Sequence, residues 1–306
     1  MSIEDLMDRL ISEGTAGRLQ WSLQELDLNG GILCNQEYAG PILLDPETGI
    51  YKKFQTSTVS YHAIDLDPAG KDIMIARRSK HLSGLLNGNI VHEGPDLILS
   101  GRYHPHYDLF GYVRLSSGQA VLVLDDMHGD SAEVCKVDPI IALSRGSFAW
   151  SPQGSRLGGI SDKGELFTLD EGDAKPTCHD IRSMTHMCFL DEETIRYIQN
   201  VDGQSVMSEY GTTGIKEIAK DVVNISFSPD RRYEIVSFPG HEMITGDKVF
   251  RKIPNTRDAQ IGSGCWSPDS RNICYPDKEI LWNYEIETGR SKILFSEFPV
   301  KPVRWR

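Results

Sequence analysis

The 306-residue chain contains no apolar run approaching the ~18 residues that a bilayer-spanning helix requires, so no membrane span is expected. It also lacks any excess of positive charge. Lys and Arg number 32 against 44 Asp and Glu, giving a formal net charge of −12. Phosphate backbones are held by basic surfaces, so this balance argues against a nucleic-acid partner. Cys34, Cys135, Cys178, Cys188, Cys265 and Cys274 form no CxxC pair and no disulfide framework. The opening MSIEDLMDRLISEG is acidic and has no apolar signal core. Free thiols and a cytoplasmic location are the resulting expectation. No phosphate loop, GxSxG elbow or HExxH occurs, so no motif names a catalytic class, and neither cofactor nor metal is expected.

What the chain does contain is a repeat. FAWSPQGSRLGGIS around Trp150 and GCWSPDSRNICY around Trp266 are two copies of one phrase. ISFSPDRRYEIVSF is a third, with Phe227 in the tryptophan slot. Weaker copies put Leu66, Tyr103 and Phe189 in that slot, and Trp21 and Trp305 extend the series to both ends. Successive markers are 45, 37, 47, 39, 38, 39 and 39 residues apart. About twenty residues after each marker comes a second turn cluster, such as Asp45-Pro46-Glu47-Thr48-Gly49 or Glu285-Ile286-Glu287-Thr288-Gly289. Gly and Asp tolerate the left-handed backbone of tight hairpins. Four short strands per period of about 40 residues is the pattern of a propeller blade.

The Ser-Pro-Asp phrases at Ser151-Pro152-Gln153-Gly154, Ser228-Pro229-Asp230 and Ser267-Pro268-Asp269 resemble the repeat of TolB-type, WD40-like β-propellers, built around WSPDG and a following strand. The resemblance covers residues about 20–305 and implies an all-β fold, a single propeller of four-stranded blades. Seven blades are expected, with six or eight as alternatives. A domain organisation follows: residues 1–14 as an amphipathic helix with Ile3, Leu6, Met7, Leu10 and Ile11 on one face, and 15–306 as a propeller closed by pairing of N- and C-terminal strands. In this scheme FPVKPVRWR, in register at Trp305, covers an otherwise open edge of the first blade.

Two clusters invite a metal reading. His104-Pro105-His106-Tyr107-Asp108 offers HxHxD, but His104 and His106 fall on turn positions of the repeat, which explains them without a metal. Cys178, His179, His186 and Cys188 lie within eleven residues at a spacing that matches no usual zinc pattern. Cys265 and Cys274 flank one hairpin and read as small core residues. The more informative residues stand just ahead of the markers, on strands that line a propeller's channel. These are His62, Arg102, Arg145, His186 and Asn224, several of them cationic or imidazole groups in an acidic protein. All but His62 lie an odd number of residues before their markers.

The expected function is a non-catalytic platform for a protein partner or a small anionic ligand, bound at this rim. The alternative is a channel-mouth enzyme, a lyase or hydrolase acting on an acidic-sugar-like substrate. The repeat also resembles that of oligogalacturonate lyases, which use histidines and a metal; here His62, Arg102 and His186 are the residues that echo them.

Overall fold

The computed structural model describes residues 30–36, 40–53, 60–66, 73–78, 83–87, 89–94, 96–126, 130–142, 147–254, 256 and 266–305. The helix expected over 1–14 and the hairpin around Trp21 lie outside the described residues, as do Arg145 and Cys265.

Strands β1 (Ile32–Gln36), β2 (Gly40–Leu44) and β3 (Tyr51–Lys53) form three-quarters of a blade. Its inner strand comes from the far end of the chain, where β27 (Val300–Trp305) pairs antiparallel with β1. Trp305 stands in the aromatic slot of this blade, and its Nε1 donates to the Gly30 carbonyl at 3.0 Å. The next blades follow in chain order. They are β4–β7 (Ser60–Leu66, Ile73–Arg78, Ser83–Asn87, Asn89–Gly94) and β8–β11 (Leu97–Tyr103, Phe110–Ser116, Gln119–Asp125, Ser131–Val137). After a one-turn helix, Pro139–Ala142, come β12–β15 (Phe148–Trp150, Arg156–Ile160, Leu166–Asp170, Thr177–Cys178). Two more are β16–β19 (Met184–Phe189, Ile195–Val201, Gln204–Gly211, Gly214–Lys220) and β20–β23 (Asn224–Phe227, Glu234–Phe238, His241–Gly246, Val249–Ile253). The remaining sheet, β24–β26 (Asn272–Asp277, Ile280–Glu285, Arg290–Phe295), has three strands.

Four-stranded blades thus number six among the described residues, and the expectation of seven is corrected. At Trp266 the described part of the marker segment makes one bridge, to Ile273, and residues 257–265 just ahead of it lie outside the described residues.

Apolar packing runs between sheets. One cluster joins Tyr233, Ile235, Ile244 and Ile253 of β20–β23 to Trp266, Ile273, Tyr275 and Tyr284 of the three-stranded sheet. Others bridge β8–β10 to β12–β14, and β12–β14 to β16–β18, in the same way. Each blade is too thin to bury both of its faces alone, so neighbours supply the missing layer.

The Ser-Pro-Asp turns explain themselves chemically. Ser228 Oγ accepts the Tyr233 amide at 3.0 Å and donates to Asp230 Oδ1 at 2.7 Å. Ser267 repeats this with the Asn272 amide and Asp269. The fourth turn residue is left-handed in every copy, with φ of 77° at Gly154, 63° at Arg231 and 60° at Ser270. Glycine adopts that conformation without a steric cost, whereas Arg231 and Ser270 carry a Cβ there and are held by the turn around them.

These turns also connect adjacent blades. Glu192 accepts hydrogen bonds from Ser151 Oγ, the Gln153 amide and Ser155 Oγ of the preceding blade, at 2.6, 2.6 and 2.5 Å. Arg231 reaches back to the Phe189 carbonyl at 2.8 Å, and the Asp230 amide donates to Ser270 Oγ at 3.2 Å. Burial works to raise the Glu192 pKa, but the hydrogen bonds from Ser151, Ser155 and Gln153 outweigh it and hold the carboxyl below its usual 4.5. A depressed carboxyl pKa stabilises the fold above the ordinary carboxylate range, and that contribution is lost as pH falls through the depressed value. Glu192→Ala is therefore expected to lower Tm by about 3 °C at neutral pH. Thermal melts at descending pH should show this difference closing below the ordinary carboxylate range.

Candidate functional site

The inner strands carry the candidate residues, and the strand ladders sort them better than sequence counting does. Each described marker pairs at the start of the next strand, with its first residue as Phe189 does with Ile195 and Phe227 with Glu234, or with its second as Trp150 does with Leu157. Counting ladder rungs inward from the markers, the third rung holds His62, Ser100, His186, Asn224 and Lys301. Ser147 belongs with them, since its carbonyl accepts the Ile160 amide one step beyond the Phe148–Gly159 pair. All six residues on this rung are polar.

The second rung holds Ala63, Gly101, Phe148, Met187, Ile225 and Pro302, and none of these has a polar side chain. Side chains alternate between the two faces of a strand. The inner strands thus turn one apolar face, aromatic marker included, towards a neighbouring blade, and bring polar side chains to the other face.

His62 breaks the parity rule in sequence because Ile64 is an extra residue. The β4–β5 register shifts between Ala63 and Asp65, and this bulge returns His62 to the rung that His186 and Asn224 occupy. Arg102 sits two rungs lower, on the same face, at the first rung with Asp65, Ala149, Cys188, Ser226 and Arg304. Sequence counting missed Lys301, Ser100 and Ser147, because the first of these lies on the closing strand and the serines carry no charge to mark them. Lys301 is exposed, and Arg102, His186 and Asn224 are half-buried.

His186 Nε2 lies 3.0 Å from the Ile225 carbonyl of the next inner strand. A carbonyl only accepts, so Nε2 carries the proton. Burial pushes the imidazole pKa down to about 4; the Ile225 carbonyl works against the shift, and the Arg102 charge adds to it. The β12–β15 blade stands between the blades of Arg102 and His186, and the cation is nevertheless felt at the imidazole. Asn224 Oδ1 accepts its neighbour's amide, Ile225 N, at 2.9 Å.

The two motifs that suggested metal are built otherwise. His104 Nδ1 accepts the His106 and Tyr107 amides, both at 3.0 Å, and Nε2 meets the Gly154 carbonyl at 3.0 Å. The imidazole does the work of the turn serine and uses both nitrogens. Cys178 stands on the outer strand β15 and His186 on the inner strand β16 of the next blade. His179 is hydrogen-bonded to Thr168 Oγ1 at 2.9 Å and Tyr210 Oη at 3.1 Å. Among the described residues no three His, Cys, Asp or Glu side chains are grouped to hold a metal ion.

No family model and no curated protein sequence matches the chain. Solved structures do. The chain is similar to an oligogalacturonate lyase from Vibrio parahaemolyticus at TM-score 0.59 and 14% identity, over 88% of this chain and 86% of that one. It is similar to TolB from Acinetobacter baumannii at TM-score 0.55 and 14% identity, over 89% and 81%. Similarity to Sqt1 from Saccharomyces cerevisiae reaches TM-score 0.56 at 8% identity, over 89% and 90%. At such identities the likeness concerns the fold, and the class it defines with the sheet topology is the β-propeller. No described helix is long and apolar enough to cross a membrane.

Proposed function

We propose that this propeller is a non-catalytic binding module whose channel mouth takes an anionic small molecule or an acidic peptide. The observation that carries the reading is the state of His186. With Nε2 engaged by the Ile225 carbonyl and a pKa near 4, its imidazole is neutral at physiological pH. The neutral ring keeps its one N–H on Nε2, in the hydrogen bond to that carbonyl, so it does not serve as a general acid there, and it is a poor base. What remains on the polar face is suited to binding: Arg102 and Lys301 supply charge, and Ser100 and Asn224 supply polar groups. In a chain of net charge −12 a local cationic rim concentrates the attraction for anions at one place.

Equilibrium titration with an oligogalacturonate and with a Glu-rich peptide tests this. Arg102→Ala and Lys301→Ala should each weaken anion binding about tenfold, equivalent to about 1.4 kcal/mol, and Arg102→Ala/Arg145→Ala should weaken it further. Unchanged affinity would remove the rim from consideration. Cleavage of the oligogalacturonate during the titration would replace this reading with the enzymatic one.

A further inference from the structure

The outer strands of a propeller are open sheet edges, and six of these seven are blunted. Edges are kept from pairing by shortness, bulges and charge. Strands β3 and β15 have three and two residues. The ladders of β7, β11, β19 and β26 each contain a register shift. Among the described outer strands of more than three residues, only β23 runs unbroken, with Glu242–Ile253, Met243–Lys252, Ile244–Arg251, Thr245–Phe250 and Gly246–Val249 in continuous register. Its outer side pairs with no described strand.

The side chains on β23 have separate tasks. Arg251 Nη1 donates to the Ile286 and Glu287 carbonyls at 3.4 and 3.3 Å, and Ile253 is fully buried in the core shared with the three-stranded sheet. By alternation Phe250 and Lys252 point to the opposite face, towards the blade that ends in β19. Phe250 is 77% exposed, a large apolar side chain left in water beside a cation. On β19, the outer strand of that neighbouring blade, Ile215, Lys216, Glu217, Ile218 and Lys220 are exposed as well, with Lys220 Nζ 3.8 Å from Glu217. Strand β23 itself carries no acidic residue, in a chain with 44 of them.

We infer that β23 is a strand-addition site for an extended acidic segment of a partner polypeptide. Its main chain would pair with the free edge, an apolar side chain would cover Phe250, and carboxylates would meet Lys252. The same cation repels a second β23 edge, so the surface selects against self-pairing while admitting an acidic strand. This deepens the reading of the propeller as a binding module but uses a surface on its circumference, independent of the channel rim.

The test is a titration of the full chain with a labelled peptide of about seven residues alternating Glu and Val, matched to an edge strand in length, followed by hydrogen exchange of the complex. Protection of β23 amides that saturates with peptide, with its midpoint shifted at least tenfold in Phe250→Glu/Lys252→Glu, is the expected result, whether or not the channel rim also takes the peptide. Both substituted side chains are exposed, and circular dichroism would confirm that the fold is retained. The inference is overturned by no binding, by equal binding of a control peptide alternating Lys and Val, by protection confined to other segments, or by binding of anionic vesicles without the peptide. Sensitivity to Arg102→Ala alone would place the peptide at the channel, which supports the rim and sinks the β23 site.

Discussion

Arg196→Ala is expected to destabilise the propeller by about 3–5 kcal/mol at neutral pH, the usual penalty for removing one partner of a buried ion pair. Arg196 joins two adjacent blades. Its Nη2 donates to Glu209 Oε2 at 2.8 Å within its own sheet, and its Nη1 to Glu234 Oε1 at 2.6 Å on the next. The Arg196 and Glu234 side chains are 10% and 14% exposed, so solvent screens the pair weakly. The guanidinium also lies over the Phe227 ring, 5.6 Å from its centroid. Alanine at 196 would leave Glu234 desolvated beside Glu209 with no cation.

The pH dependence follows from the Glu234 carboxyl. Burial raises its pKa above 4.5, and Arg196 opposes part of that rise. A raised carboxyl pKa means that the folded state keeps a proton the unfolded state gives up, so stability falls as pH climbs through the folded value. Without Arg196 the pKa rises further and this fall deepens. The deficit of Arg196→Ala should therefore be smaller near pH 5 than near pH 7.5, and Glu234→Gln added to it should recover part of the loss. Urea melts at both pH values read this directly. A deficit of equal size at both would mean that the lost packing on Phe227, not the stranded carboxylate, dominates.

The parts of the fold legible in the sequence are those fixed by local chemistry. Ser228 and Ser267 show why: one hydroxyl bonds forward to an aspartate and accepts an amide five residues on, so the turn is written in consecutive residues. Blade completeness is not local. A marker such as Trp266 indicates where an inner strand lies, whereas a ladder depends on the partner strand as well, and among the described residues Trp266 contributes one bridge, to Ile273. The polar rung of the inner strands was half legible. His186 and Asn224 follow parity, while His62 departs from it through a bulge at Ile64 that nothing in SYHAIDL announces. Lys301 was hidden by topology, since its rung exists only once β27 has crossed to β1. The blunting of six edges and the openness of β23 were invisible, because register shifts are properties of strand pairs and not of either strand's text.

One sequence slot can also carry unequal energies, and the tryptophans test this. Trp266→Ala should cost about 3–5 kcal/mol, the range for emptying a buried aromatic site. Trp266 is 2% exposed, fills the space between β20–β23 and the three-stranded sheet, and donates from Nε1 to Ser226 Oγ at 2.7 Å. Trp266→Phe keeps most of the ring but leaves the buried Ser226 hydroxyl without that partner, a loss of about 1–3 kcal/mol. Trp150 occupies the same slot under different terms. It is half-buried against the edge of His104, 4.7 Å between ring centroids, and its buried Nε1 has no hydrogen-bond partner. Replacing an unpaired buried donor by carbon removes a desolvation penalty, so Trp150→Phe should stay within about 0.5 kcal/mol of the parent. Parallel denaturant melts of the two phenylalanine variants decide the matter. Equal losses would show that the slot acts only as a volume to be filled. Unequal losses in the expected order would show that the indole nitrogen of Trp266 joins its sheet to the next by a hydrogen bond that the repeat does not require elsewhere.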